Sequence, residues 1–175
     1  MIINKEYIAE KTRLNNNLEA NQVIAHEALN RFISIYPEWS YQCYEGTEAD
    51  YNGVDYCLTR NKDGELLSIP CSFRVRTTDK YNNFMIRKSG KYGDGEKSEY
   101  SKICKETTKS KVYVYYCKTN DKLILIETKL IGEYLNNNQP RQFTGVDGSI
   151  FVAIDHSGLK ALAKEKNMML KELPL

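Results

Sequence analysis

The chain has 175 residues, which suits one domain, and its 41% apolar content can bury a core without metal or disulfide staples. No apolar run approaches the roughly 20 residues that a membrane-spanning helix needs. The net charge of +2 excludes a strongly polybasic or polyacidic protein but hides an asymmetry. Residues 1–59 carry four Lys/Arg and nine Asp/Glu, whereas residues 60–111 carry thirteen and seven. A basic middle can attract a phosphate backbone by counterion release; a solvated surface whose signs happen to cluster is the alternative.

In chain order, the first element is a helix over about Leu18–Tyr36. Ala25, Ala28, Leu29, Phe32 and Tyr36 make its apolar stripe and Pro37 stops it, with a weaker helix ahead of it around Lys5–Leu14. The N-terminus mixes Lys5, Glu6 and Glu10 with apolar residues, so it does not read as a signal peptide, and the expected compartment is the cytosol. Period-two alternation then predicts strands at Ser40–Tyr44, Val54–Thr59 and Glu65–Arg76, the last two joined by an Asp63-Gly64 hairpin turn. On the third, Ile69, Cys71, Phe73 and Val75 face one way, and Ser68, Pro70, Ser72, Arg74 and Arg76 the other. Asn83–Arg87 reads as a further strand and Ser89–Glu99 as an exposed loop. Lys111–Cys117 and Lys122–Glu127 read as paired strands, Thr128–Asn136 as a helix, Ser149–Asp155 as a strand and Ser157–Met168 as the last helix. The sum is a single α/β domain over 1–175 with a mixed β-sheet flanked by helices.

The five cysteines contain no C-x-x-C pair, and only His26 and His156 could join them, so a structural zinc site is not expected; reduced, mostly buried thiols are. The chemistry-bearing stretch is Asp50–Arg76. Asp55 follows Asn52-Gly53-Val54 at the start of one strand, the hairpin follows, and Leu67–Arg74 returns as the next. A metal nuclease needs carboxylates to hold one or two divalent ions and a nearby cation to steady the transition state, and a hairpin is an economical scaffold for both.

This layout resembles the PD-(D/E)XK, or restriction-endonuclease-like, nuclease superfamily. The pattern there is an Asp after a Gly-hydrophobic start, a hairpin, then a hydrophobic residue followed by Glu or Gln, any residue, and Lys or Arg. Phe84–Arg87, Lys111–Tyr116 and Val146–Ile154 resemble later strands of small members, so the likeness covers roughly residues 20 to 165. It implies a restriction-endonuclease-like core, with Asp55 and Glu27 as ligands for magnesium. The chain departs from the pattern at its centre: Pro70 stands where Glu is wanted and Ser72 where Lys is wanted. Arg74 or Arg76 could supply the missing cation, one pleat repeat (~7 Å) along the strand.

The resemblance therefore implies a weakened nuclease centre: a protein that binds nucleic acid through Arg74, Arg76, Arg87, Lys88 and Lys91, or binds a nucleic-acid-handling defence protein. By analogy it suits a mobile-element inhibitor of CRISPR or restriction systems. The alternatives are an active Mg-dependent DNA endonuclease, with catalytic Asp55, Glu27 and Arg74, and an interaction module that uses the acidic first third. The tyrosines Tyr81, Tyr92, Tyr100, Tyr113, Tyr115 and Tyr116 could stack on bases, although alternate strand positions favour packing for Tyr113 and Tyr115. Asp55 could instead satisfy turn amides, and Glu27 could be a solvated helix residue.

Overall fold

The computed structural model describes residues 5–44, 47–76, 83–90, 95–145 and 148–175, with side chains from residue 19 onward apart from Tyr51. Lys91, Tyr81, Tyr92, Val146 and Asp147 lie outside the described residues. The elements are α1 (Lys5–Ile35), β1 (Trp39–Cys43), α2 (Glu48–Tyr51), β2 (Tyr56–Lys62), β3 (Glu65–Arg76), β4 (Asn83–Ser89), α3 (Glu99–Cys104), β5 (Val112–Cys117), β6 (Lys122–Glu127), α4 (Thr128–Asn137), β7 (Arg141–Thr144), β8 (Ile150–Asp155), α5 (His156–Lys166) and β9 (Leu170–Pro174). The two helices expected near the N-terminus are one continuous helix. Four of these elements were not expected from the pattern: α2, which is a single turn, α3, because a Gly- and Lys-rich approach masks it, and β7 and β9, because each is too short to show a period.

The main sheet is six-stranded and mixed, in the order β1-β2-β3-β5-β6-β9, with β3–β5 its parallel pair. Strands β4, β8 and β7 form a separate antiparallel sheet. The β2–β3 hairpin turns on Asp63 and Gly64, both at positive φ (55° and 84°), between the closing pair Lys62 and Glu65. That is the geometry a two-residue hairpin matching the strand twist requires.

Strand alternation divides the core in two. Tyr56, Leu58, Cys71, Phe73, Val112, Val114 and Tyr116 face α1, which buries Ala25, Ala28, Leu29 and Phe32 against them. Tyr113, Tyr115, Cys117, Ile124 and Ile126 face the opposite way, onto α3, α4, α5 and the small sheet. β5 is buried at all six positions because both faces are covered. Helix α4 approaches α3 through Gly132: a Cβ there would lie 3.1 Å from the Ile103 carbonyl oxygen, so the close packing that seats α3 depends on a residue without one. Of the cysteines only Cys71 and Cys117 are buried, and none of the five forms a disulfide; burial pushes the Cys71 thiol up to about 12. Cys43 is exposed because β1 is an edge strand.

The last strand is fastened by Glu172. Its carboxylate takes an ion pair from Lys160 of α5, another from Lys122 of β6 at 3.0 Å, and lies 3.2 Å from His156 Nε2. The bonds from Lys160, then Lys122, hold Glu172 down to about 2, against the upward pull of burial. A carboxyl depressed in the folded state stabilises the protein above its ordinary titration range, and that stability is lost as pH falls through the folded value. Glu172→Gln is therefore expected to lower stability at pH 7 by about 1–2 kcal/mol, discounted for partial exposure. In thermal melts the gap between the two proteins should close as pH falls from about 4.5 toward about 2. A gap that stays constant across that range would assign the bond no net role.

Candidate functional site

The site begins at a turn. Helix α2 ends where the Gly53 amide donates to Asp50 O (2.8 Å) and the Val54 amide to Ala49 O (3.0 Å), with Gly53 at φ 85°. Asp55 follows at the head of β2. Its amide donates to Cys71 O (2.9 Å) and its carbonyl accepts from the Tyr44 amide (2.8 Å), so the backbone is held from both sides. With the ladder taken up this way, the carboxylate extends it: Asp55 Oδ2 accepts the Phe73 amide at 2.6 Å.

The same oxygen accepts from Arg74 Nη1 at 2.9 Å, and Arg74 Nη2 donates to Glu99 Oε1 at 2.7 Å. Glu99 opens α3, which is N-capped by Ser98, whose Oγ accepts the Ser101 amide. Tyr113 of β5 donates its hydroxyl to Glu99 Oε1 (2.9 Å), and the Arg87 amide of β4 donates to Glu99 Oε2 (3.0 Å). The Arg74 guanidinium carbon lies 5.7 Å from the centre of the Tyr113 ring. One guanidinium thus bridges two carboxylates. Their side chains are 19% (Asp55) and 18% (Glu99) exposed, against 37% for Arg74, so the acids are sealed and the cation keeps one flank open.

The two acids respond oppositely. Burial raises Asp55 above its ordinary value; Arg74 and the Phe73 amide pull down without winning, and Asp50 adds to the rise. Glu99 is also pushed up by burial, but the Arg74 charge, the Arg87 amide and the Tyr113 hydroxyl outweigh it and leave Glu99 below the usual range. Arg74 itself is destabilised as a cation by burial and held charged by Glu99, then Asp55.

Several expectations are corrected here. Pro70 does not share the site: it pairs with Cys57, beyond the end of β2 where Asp55 sits. Ser72 is fully buried and committed, donating its hydroxyl to Gly53 O (2.5 Å) while its amide donates to Ser110 Oγ (2.9 Å). Arg74 is not displaced from Asp55 but bonds it: the Asp55 amide donates to Cys71 O and its carboxylate accepts the Phe73 amide, which brings Arg74 within reach. Glu27 is not brought to Asp55. It is exposed on α1, which covers the opposite face of the sheet, and its charge is felt by Tyr116 at the far end of β5. The second carboxylate is Glu99, which the sequence reading placed in a loop. The signal that could have found it is local: Ser98 followed by an acid is a helix N-terminal signature.

Arg76, Arg87 and Lys88 are half-buried, and of the three the Arg87 amide reaches the centre, at Glu99. Arg87 lies 5.3 Å from the Phe151 ring centre, and Lys88 Nζ lies 5.4 Å from that of Tyr100. A magnesium ion does not fit this centre as it stands. Asp55 Oδ2 and both Glu99 oxygens are engaged by protein donors, and the guanidinium would repel a divalent ion from the space between the acids. Among the described residues, no group of three or more His, Cys, Asp or Glu side chains is placed to hold a metal.

Fold and site together define a layered α/β protein, a mixed sheet flanked by helices, with a carboxylate–guanidinium–carboxylate centre. No protein-family model matches the chain, and no curated protein matches it. Among solved structures it is similar to a nuclease from a fusselovirus at 13% identity, over 95% of this chain and 98% of that one, with a TM-score of 0.41. At that TM-score the likeness adds nothing to what the side chains show.

Removing the bridge should leave two buried acids uncompensated. Arg74→Gln is expected to lower stability in urea unfolding by about 1–3 kcal/mol, the range reduced for the open flank of Arg74. Arg74→Lys should recover only part of this, because an ammonium cannot span both acids as a planar fork does. Stability unchanged in both variants would show that the bridge contributes nothing net.

Proposed function

We propose that the chain is a nucleic-acid-binding protein of nuclease-like design that holds its target without cutting it. The observation that carries this reading is the Arg74 bridge. Phosphodiester hydrolysis by this kind of centre depends on a divalent ion between carboxylates. Here the cation between Asp55 and Glu99 belongs to the protein: it offsets part of their charge and, unlike a metal ion, has no coordination site for a water or a phosphate oxygen.

The binding half of the reading rests on the surroundings. The reading draws on the open flank of Arg74, on Arg76 two residues along the same strand, and on the half-buried Arg87 and Lys88 of β4, whose side chains lie over Phe151 and Tyr100. These are phosphate partners by charge, and guanidiniums also stack on bases. Lys91 belongs to the same basic stretch of sequence. Because such contacts read backbone rather than base edges, the expected binding is weakly sequence-dependent and strongly salt-dependent.

Fluorescence anisotropy with a labelled DNA duplex tests the binding half. Four phosphate contacts should give a slope of log K against log salt of about −3.6. Lys88→Ala should reduce that slope by about 1 and weaken binding to unrelated sequences equally. Affinity indifferent to salt would remove the nucleic-acid reading. For the non-cutting half, millimolar Mn²⁺ is expected to leave both the DNA and the melting temperature unchanged, since an ion that binds the folded state must raise its stability. DNA cleavage that Asp55→Ala abolishes would overturn it.

A further inference from the structure

Strand β3 is twelve residues long, but its partner β5 begins only opposite Cys71. On the β5 side, the ladder starts where the Lys111 amide donates to Pro70 O (2.8 Å) and the Ser72 amide to Ser110 Oγ. Even-numbered residues of β3 therefore point their backbone groups toward β5. Odd-numbered ones serve β2, as Cys71 O and the Phe73 amide do toward Asp55. By this alternation the backbone groups of Leu66 and Ser68 face outward, and among the described residues no strand pairs with that edge. Residues 65–68 are all exposed, with Leu66 at 69% and Leu67 at 44%.

The open window has sharp ends. At one, Gly64 turns the chain back toward β2. At the other, Pro70 has no N–H and its oxygen is taken by Lys111. Between them lie Glu65, Leu66, Leu67, Ser68 and Ile69, with the two outward-facing residues placed symmetrically about Leu67. A window of this form is its own complement under a two-fold axis through Leu67. Antiparallel pairing of two copies would set Leu66 opposite the partner's Ser68 and Ser68 opposite the partner's Leu66. Leu67 would face the partner's Leu67, and Glu65 would face the partner's Ile69. Both outward residues of each copy then exchange both of their backbone bonds. No like charges meet, and the turn carries each chain away before it reaches Lys111. A two-fold axis at residue 66 or 68 would instead spend a pair on Gly64 or on Pro70.

We propose that residues 65–69 of β3 are a self-association edge, through which a second copy of this chain adds by antiparallel strand pairing about Leu67. The window is short, so the interface falls in the small, transient class and the dimer is a concentration-dependent one. This inference stands apart from the nucleic-acid reading.

Sedimentation velocity on the full chain, from about 5 to about 500 µM, should show a monomer passing to a dimer within that range. Ser68→Pro deletes an outward N–H that β2 does not use, and Leu67→Lys sets two ammonium groups face to face. Each should shift the transition to at least about tenfold higher concentration, with the fold, followed by circular dichroism, unchanged. Geometry is tested in a Cys43→Ser background under an added oxidant. Leu67→Cys, with its Cβ about 4.5–5.5 Å from its symmetry mate, should cross-link rapidly. Leu66→Cys, which faces a serine, should cross-link at least about tenfold more slowly. Equal rates at the two positions, or a chain that stays monomeric throughout, overturns the proposal. If the chain is monomeric and Ser68→Pro weakens DNA binding, the occupant of the edge is nucleic acid and not a second copy.

Discussion

A buried carboxylate must find a charge or donors, or give up its proton, and the interior of this protein is arranged around that demand. Asp55 and Glu99 arrive on separate elements, one at the head of β2 and the other at the head of α3, and Arg74 answers both. Through Glu99 the bond extends to Tyr113 on β5 and to the Arg87 amide on β4. One guanidinium thereby couples the central sheet to a helix and to the small sheet. A single cation cannot fully serve two acids, and the opposite displacements of their titrations, Asp55 up and Glu99 down, express that inequality.

The same bond governs the chemical reading. The guanidinium stands between the two carboxylates, so the positive charge beside them is covalently tethered. The tethered charge stabilises the layers around it and offers its open flank to an anion. In the reading proposed above, binding and catalysis are separable, and the open flank of Arg74 serves contact with phosphate rather than its cleavage. The open window of β3 lies away from this centre, beyond the start of β5, and follows from a different fact, that one strand of the parallel pair is twice as long as the other.

Much of the local structure was legible in the chain. Asp63-Gly64 between alternating runs called for the hairpin that forms; Ile69, Cys71, Phe73 and Val75 shared the face that packs on α1; and Lys111–Cys117 and Lys122–Glu127 marked the strands that pair as β5 and β6. Elements with weak local signals were missed: α3 behind its Gly- and Lys-rich approach, β7 with four residues, and β9 with its terminal Pro174. At the site, Asp55 and Arg74 were both singled out, but the alignment that set Pro70 and Ser72 in the ligand positions held Arg74 a pleat repeat away, whereas it bonds Asp55 directly. Glu27 was chosen because the family resemblance places a Glu in the helix ahead of the Asp strand, while Glu99 was read as part of a loop. Periodicity reports that a residue is helical and says nothing of which side of a distant sheet the helix will cover.

By itself the sequence determined the period of each long segment, the turn that reverses β2 into β3, and the two faces of β3, because these depend on neighbours within a few residues. Only the tertiary structure decided which residues meet across it: that α1 covers the face away from Asp55, that α3 carries Glu99 to Arg74, and that β5 begins too late to cover the first half of β3. Those outcomes turn on how layers stack and where strands come into register, which are settled by burial over the whole chain and leave no mark on the spacing of the residues concerned.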